Sequence, residues 1–149
     1  MNRFDLMFSI DVRDTFLSSQ ACVPYLRRAA NPHILNLSLP IHLHARWFKN
    51  HLAYTMSKYG MSPCTLGMSK DLAGCGIAVN SLWPRATIAT AAIETHFPSE
   101  VYKASRNPQL MADAAYIIFN CDSRSTTANF FPDENVLRGA GITDFSLYA

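Results

Sequence analysis

The chain has 149 residues, of which 49% are hydrophobic and 16% charged, and its formal net charge is +2. That length holds one domain with a real core, and the composition is that of a folded chain, not a disordered one. So small and evenly spread a charge excludes a nucleic-acid-binding stripe or a membrane-surface patch, and Arg27-Arg28 and Arg46 with Lys49 read as solvated helix and loop ends.

Residues 4–29 predict a long helix. Phe4, Met7, Phe8, Val12, Phe16, Leu17, Cys22, Val23 and Leu26 recur at three- and four-residue steps. Pro24 is expected to bend it near its end, and Asn31-Pro32 to stop it. Residues 33–39, HILNLSL, lie between two prolines and suit a strand. After a loop, residues 51–72 predict a second helix, which Pro63 should kink or cut and Gly74-Cys75-Gly76 should end.

Residues 77–83, IAVNSLW, predict a second strand, closed by Pro84. A short helix is expected at 86–95 and another from Asn107-Pro108 to about Asn120, with Leu110, Met111, Ala114, Ala115, Ile117, Ile118 and Phe119 on its apolar face. Residues 127–131 are a last candidate strand, weakened by Pro132, and the tail with Gly139 and Gly141 reads as irregular. Helix and strand alternate throughout, which points to an α/β fold with parallel strands.

No run approaches the ~18 apolar residues of a membrane span. Asp5, Asp11 and Asp14 interrupt the apolar N-terminal stretch, which argues against a signal peptide. Cys22, Cys64, Cys75 and Cys121 match no zinc spacing and read as reduced, mostly buried side chains of an intracellular protein. His42 and His44 alternate in a loop without an evident third ligand, so no metal site is expected. Trp47-Phe48 is expected to pack beneath that loop.

Chemistry concentrates in Ala53-Tyr54-Thr55-Met56-Ser57-Lys58. Tyr54 and Lys58 are one helical turn apart and share a face. A phenol titrates near ~10, too high for acid–base work at neutral pH, and a nearby ammonium lowers it toward the working range. Such a pair suits proton transfer to a carbonyl oxygen as a hydride arrives, and the ammonium can also bond to ribose hydroxyls. Taken alone, the pair better fits an amphipathic helix with a half-exposed Tyr and a solvated Lys. Two more features flank it: the strand ILNLS ends in Ser38, and Val79-Asn80-Ser81-Leu82-Trp83-Pro84 leaves the next strand.

In that order these three features resemble the short-chain dehydrogenase/reductase family, whose pattern is a Ser after the fifth strand, Y-x-x-x-K on a helix, and V-N-x-x-x-P after the sixth strand. The resemblance covers essentially the whole chain. It implies the C-terminal, catalytic half of a Rossmann-like doubly wound parallel sheet, about three strands with flanking helices, as a single partial domain over residues 1–149. It implies Tyr54 as the general acid/base, Lys58 as the group that tunes it and binds the nicotinamide ribose, and Ser38 as the group orienting a substrate carbonyl. The segment from Pro84 to Thr90 would pass the nicotinamide, with Ile88 and Thr90 nearest. The implied cofactor is NADP or NAD, and the implied substrates are alcohols and ketones of the steroid or lipid type.

Several residues depart from that pattern. No G-x-G-x-x-G run is present to receive a pyrophosphate; the six glycines stand at 60, 67, 74, 76, 139 and 141. Cofactor binding is therefore expected to be weak or absent, since each lost charged contact removes ~1.5–3 kcal/mol. Asp11 and Asp14 stand where the family has an Asn and, three residues on, a Gly; Asp11 reads either as a hydrogen-bonding group or as a solvated surface acid. Leu39 stands where the commonest pattern counts its Ser, and Arg85 where many members have Gly after the Pro.

Without an earlier neighbour, the strand at 33–39 becomes an apolar sheet edge, open to pairing with another chain. Helices 4–29 and 51–72 correspond to those that pack between subunits in many family dimers, which implies a homo- or hetero-dimer. A non-catalytic partner of a longer relative, or a product without selected function, are the alternatives to an oxidoreductase. Relatives of this type carry a further sterol-carrier-like domain and point to peroxisome or mitochondrion. The ending Leu147-Tyr148-Ala149 is no peroxisomal address, which leaves a cytoplasmic location by default.

Overall fold

The computed structural model describes residues 3–41, 44–45 and 48–149. The chain opens with one nearly continuous helical rod: α1 (Arg3–Phe8), a π-helical turn (Ser9–Arg13) and α2 (Asp14–Leu26). Pro24 lies in its last turn and Leu26 ends it, three residues short of the expected limit. Strand β1 (His33–Asn36) follows, then α3 (Leu52–Asp71), a 3-10 turn (Ala73–Cys75) and β2 (Ala78–Trp83). Gly76 leaves the turn at φ +68°, the left-handed conformation that the sequence marks with a glycine.

Pro63 sits inside α3 without cutting it. It removes one N–H from the ladder, and packing of the helix against the sheet carries the turn. Beyond β2 come α4 (Ala91–His96), α5 (Ser99–Lys103), α6 (Gln109–Phe119), β3 (Phe130–Pro132) and α7 (Asp133–Gly139), with a 3-10 turn at Ser146–Tyr148. The tail expected to be irregular is thus ordered. Leu137 and Tyr148 hold it, both buried in the core.

The three strands form one parallel sheet in the order β1-β2-β3, with Leu35 beside Asn80 and Leu82 beside Phe131. β1 is an edge of that sheet, as expected. One face is covered by aliphatic packing: Leu82, Leu110, Ala114, Ile118, Leu137 and Tyr148 form the core. The face toward α3 is built differently. Besides Met61, its buried residues are Thr55, Ser57, Ser62, Thr65 and Ser69. Their short side chains bring helix and sheet close, and hydroxyls satisfy one another: Asn36 Nδ2 donates to Thr65 Oγ1 (2.8 Å), and Ser62 Oγ to the Leu39 carbonyl (2.6 Å).

Apolar periodicity in α1 and α2 does not translate into burial. Phe4, Leu6, Ile10, Phe16 and Leu17 are exposed, and Ser19 is the buried residue of α2. The cysteines also differ from expectation. Cys22 and Cys75 are exposed, and Cys64 and Cys121 half-buried, because Cys22 sits on the outer face of α2 and Cys75 in a surface turn. Among the described residues no helix is long and apolar enough to cross a membrane.

Candidate functional site

The C-terminal ends of parallel strands are where open α/β sheets leave a crevice. Here Leu37 stands just beyond β1, Trp83 ends β2 and Pro84 follows it. Together with Tyr54 and Lys58 of α3 they line a cleft of about 320 Å³, closed on its other side by Ile88, Thr90 and Met111. Five of the residues singled out from the sequence, Tyr54, Lys58, Pro84, Ile88 and Thr90, thus come together in one place.

Each is held there by a separate device. Tyr54 and Lys58 share a face of α3, and the Lys58 ammonium lies 6.0 Å from the Tyr54 ring centroid. Ile88 is fixed by a parallel bridge to Arg106: the Ala89 N–H donates to the Arg106 carbonyl and the Arg106 N–H to the Thr87 carbonyl, both at 2.8 Å. The segment leaving β2 is pinned by Asp133, whose Oδ1 accepts the Arg85 N–H at 3.1 Å. The Arg85 side chain itself is 64% exposed and stands 4.0 Å from Glu134.

Ser38 is placed elsewhere. It is fully buried and is not among the residues lining the cleft; its hydroxyl lies 2.7 Å from Ser81 Oγ. Its geometry is that of a tie between the end of β1 and β2. Asn80 is likewise structural: it is fully buried, donates to the Thr126 carbonyl (2.7 Å) and accepts from the Asn129 N–H (3.0 Å).

Asp11 is not a solvated surface acid. Its Oδ1 lies 3.0 Å from Lys58 Nζ and its Oδ2 2.7 Å from Ser57 Oγ, with only 14% of its side chain exposed. This changes the expected electrostatics. The Tyr54 phenol is pushed above its ordinary value, by burial first and by the Asp11 carboxylate second. The lowering expected from the Tyr54–Lys58 spacing is therefore not the outcome: burial opposes it first, and the Asp11 carboxylate adds to that. Asp11 was legible as an oddity in the sequence; its partnership with Lys58 needed the fold. Leu37, Trp83 and Met111 carried no sequence signal for the cleft.

Among the described residues no three His, Cys, Asp or Glu side chains come together as a metal site; His42 lies outside those residues. Trp47 does too, while Phe48 stacks on Tyr59 at 5.3 Å, packed as expected.

The family described as enoyl-(acyl carrier protein) reductase matches residues 1–117. The chain belongs to the short-chain dehydrogenase/reductase family. Like other members of that family, hydroxysteroid dehydrogenase-like protein 2 of Danio rerio is similar to this chain, 51% identical over 149 residues, which are all of this chain and 35% of that protein. Its Homo sapiens counterpart is 46% identical over 147 residues, again 35% of its length. This chain therefore spans about a third of the curated short-chain dehydrogenase/reductase relatives it matches. Among solved structures, a Xanthomonas campestris protein superimposes with a TM-score of 0.91 at 43% identity, over 99% of this chain and 54% of that one. A short-chain dehydrogenase from Mycobacterium thermoresistibile gives 0.86 at 44% identity, over 98% and 52%.

The described residues fit one end of a nicotinamide dinucleotide. Lys58 can donate to ribose hydroxyls, and the uncharged wall of Pro84, Ile88 and Thr90 suits a flat, weakly polar ring. When bound, such a cofactor supplies or takes the hydride. The chain's own contribution is a phenol at the cleft, 47% exposed, with an ammonium beside it.

Proposed function

We propose that this chain works as the catalytic half of an oxidoreductase domain that uses NADP or NAD on alcohols and ketones of the steroid or lipid type. The observation that carries this reading is the convergence of Tyr54 and Lys58 with Pro84, Ile88 and Thr90 on one cleft at the strand ends. Tyr54 moves the proton at the substrate oxygen. Lys58 holds the ribose and balances charge beside the phenol. Ser38, buried against Ser81, contributes to the scaffold under the cleft. The substrate class is supported by the names of the relatives, which are hydroxysteroid dehydrogenase-like proteins.

Residues 1–149 hold no glycine-rich run, and every 1.4 kcal/mol of phosphate contact is about a factor of ten in the dissociation constant, so these residues taken alone are expected to bind in the millimolar range. The test is titration of the purified chain with NADPH and NADH, followed by nucleotide fluorescence and by thermal stabilisation. Binding in the millimolar range, reduced in Lys58→Ala and retained in Tyr54→Phe, supports the reading. No shift at millimolar cofactor overturns it for this chain alone.

A second reading is favoured by a specific observation: Phe4, Leu6, Ile10, Phe16 and Leu17 are exposed along the N-terminal helical rod. In that reading the chain is a non-catalytic partner that forms a mixed dimer with a longer relative. Failure to associate with such a relative at micromolar concentration ends it.

A further inference from the structure

We infer that Asp11 is a positioning residue of the proton-transfer pair: from its π-helical turn it engages the Lys58 ammonium, and so sets Tyr54 to give a proton to a carbonyl oxygen rather than to take one from an alcohol. This rests on the proposed role of Tyr54 and Lys58.

The geometry is a built one. A π turn inserts one extra residue into a helix and occurs there at a local cost. Here it spans Ser9–Arg13 with Asp11 at its centre, and Thr15 Oγ1 donates to the Asp11 carbonyl within it. The carboxylate is held from two sides, by Lys58 Nζ at 3.0 Å and by Ser57 Oγ at 2.7 Å. Ser57 is fully buried, and its hydroxyl also lies 2.9 Å from the Tyr54 carbonyl, so the carboxylate is tied to the turn of α3 that carries Tyr54. Side-chain exposures of 18% for Lys58 and 14% for Asp11 place the pair out of bulk solvent, where screening is weaker than for a surface ion pair.

Among the described residues, the charges set beside Tyr54 are those of Lys58 and Asp11. Lys58 comes from its own helix and Asp11 from the π turn; the cleft wall of Leu37, Trp83, Pro84, Ile88, Thr90 and Met111 carries none. The ammonium is held to the Asp11 carboxylate at 3.0 Å, and the phenol of the half-exposed ring is pushed up, by burial first and by the Asp11 carboxylate second. A neutral phenol is a proton donor. In the reductive direction the Tyr54 O–H breaks as a new O–H forms on the substrate oxygen. The carbonyl carbon receives the hydride of a reduced nicotinamide dinucleotide, which leaves oxidised, and the phenolate recovers its proton from water. In the oxidative direction the phenolate must form first, and Asp11 moves that to higher pH.

The test reads Tyr54 directly, without turnover. The full chain, labelled with carbon-13 at tyrosine Cζ, is titrated by NMR, with the Tyr54 resonance assigned by its loss in Tyr54→Phe. The midpoint is expected to fall in both Asp11→Asn and Asp11→Ser, and to stay near that of the parent in Asp11→Glu, which keeps the charge. Asp14→Asn makes the same net charge change from an exposed place on α2 and is expected to leave the midpoint unmoved. Equal shifts for the Asp11 and Asp14 variants, or no shift in either Asp11 variant, overturn the inference. Lys58→Met separates this from the parent reading. A raised midpoint there with an unmoved one in Asp11→Asn sinks only the role of Asp11, whereas an unmoved midpoint in Lys58→Met removes the proton-transfer pair itself.

Discussion

Gly60 of α3 and Val12 of the π turn meet so closely that a Cβ on Gly60 would stand 2.5 Å from Val12 Cγ2. No real Cβ tolerates that approach, and a β-branched valine has little freedom to withdraw. The contact matters for the site because Val12 is the chain neighbour of Asp11, which is bonded to Lys58. Gly60 is thus the gap that lets the π turn reach α3.

Gly60→Ala is expected to destabilise the chain. Alanine adds ~1 kcal/mol of helix preference, while overpacking costs ~1–3 kcal/mol. The net expectation is a loss of up to about 2 kcal/mol, read from urea unfolding midpoints. Val12→Ala combined with Gly60→Ala should recover most of it. A stabilised Gly60→Ala would show that the two helices do not approach as described.

Ser38 and Ser81 give an asymmetric pair of substitutions. Ser81 Oγ donates to the Ser38 carbonyl at 2.7 Å, which uses its single proton. The 2.7 Å contact between the two hydroxyls is then donated by Ser38. Ser38→Ala removes one bond and leaves the Ser38 carbonyl satisfied. Ser81→Ala removes both and strands a buried hydroxyl and a buried carbonyl. The expected losses are about 1 kcal/mol for Ser38→Ala and about 2–3 kcal/mol for Ser81→Ala. Equal losses, or loss of substrate or cofactor binding in Ser38→Ala with stability unchanged, would return Ser38 to the cleft.

Much of the fold was legible because its period and punctuation agree. Leu82 and the apolar side of α6 announce the buried face, and the α3 boundaries lie within a residue of the periodic stretch. The misses share a physical cause, namely long-range partners. Pro63 reads as a break because local propensity opposes it, yet packing over the small Ser and Thr face carries the helix through. The tail reads as irregular because Gly139 and Gly141 dominate the local signal, while the buried Leu137 and Tyr148 set its course. Within the site, Tyr54 and Lys58 were readable from their spacing together with the flanking Ser38 and Val79–Pro84 features. Asp11 stands 47 residues away from Lys58, and no local pattern could pair them.

Tyr148 should report on that tail. Its side chain is buried in the core, and its hydroxyl donates to Asp113 Oδ2 at 2.8 Å. A hydrogen bond to a charged acceptor contributes ~1.5–3 kcal/mol. Tyr148→Phe keeps the packing and removes that bond, so a loss of about 2 kcal/mol is expected by urea unfolding. Asp113→Asn, which keeps an acceptor, should cost less. Indifference to both substitutions would mean that the 3-10 turn at the C-terminus is not docked through this bond.

Asp133 predicts a pH dependence with a definite sign. It is fully buried at the start of α7, and its Oδ1 accepts the Glu134 N–H (2.7 Å) and the Arg85 N–H (3.1 Å). Its Oδ2 is buried with no hydrogen-bond partner among the described residues. Burial raises its carboxyl above the ordinary value and the Glu134 charge adds to this, against the opposing pull of the two N–H groups and the Arg85 charge. The folded chain therefore binds this proton more tightly than the unfolded chain, whose carboxyl titrates near ~3.9. The slope of stability with pH is then negative between the two values: the favourable contribution of this group is complete below the unfolded value and is lost as pH rises through the folded one. Other carboxylates titrate in the same window, so the informative quantity is the difference between the parent and Asp133→Asn. That substitution keeps an acceptor for the two N–H groups and removes the charge. Relative to the parent, the variant should gain stability as pH rises from about 3.5 toward neutrality, with unfolding midpoints measured at each step. A constant difference, or one that shifts in favour of the parent, would mean that the Asp133 carboxylate is better solvated or better bonded than its burial implies.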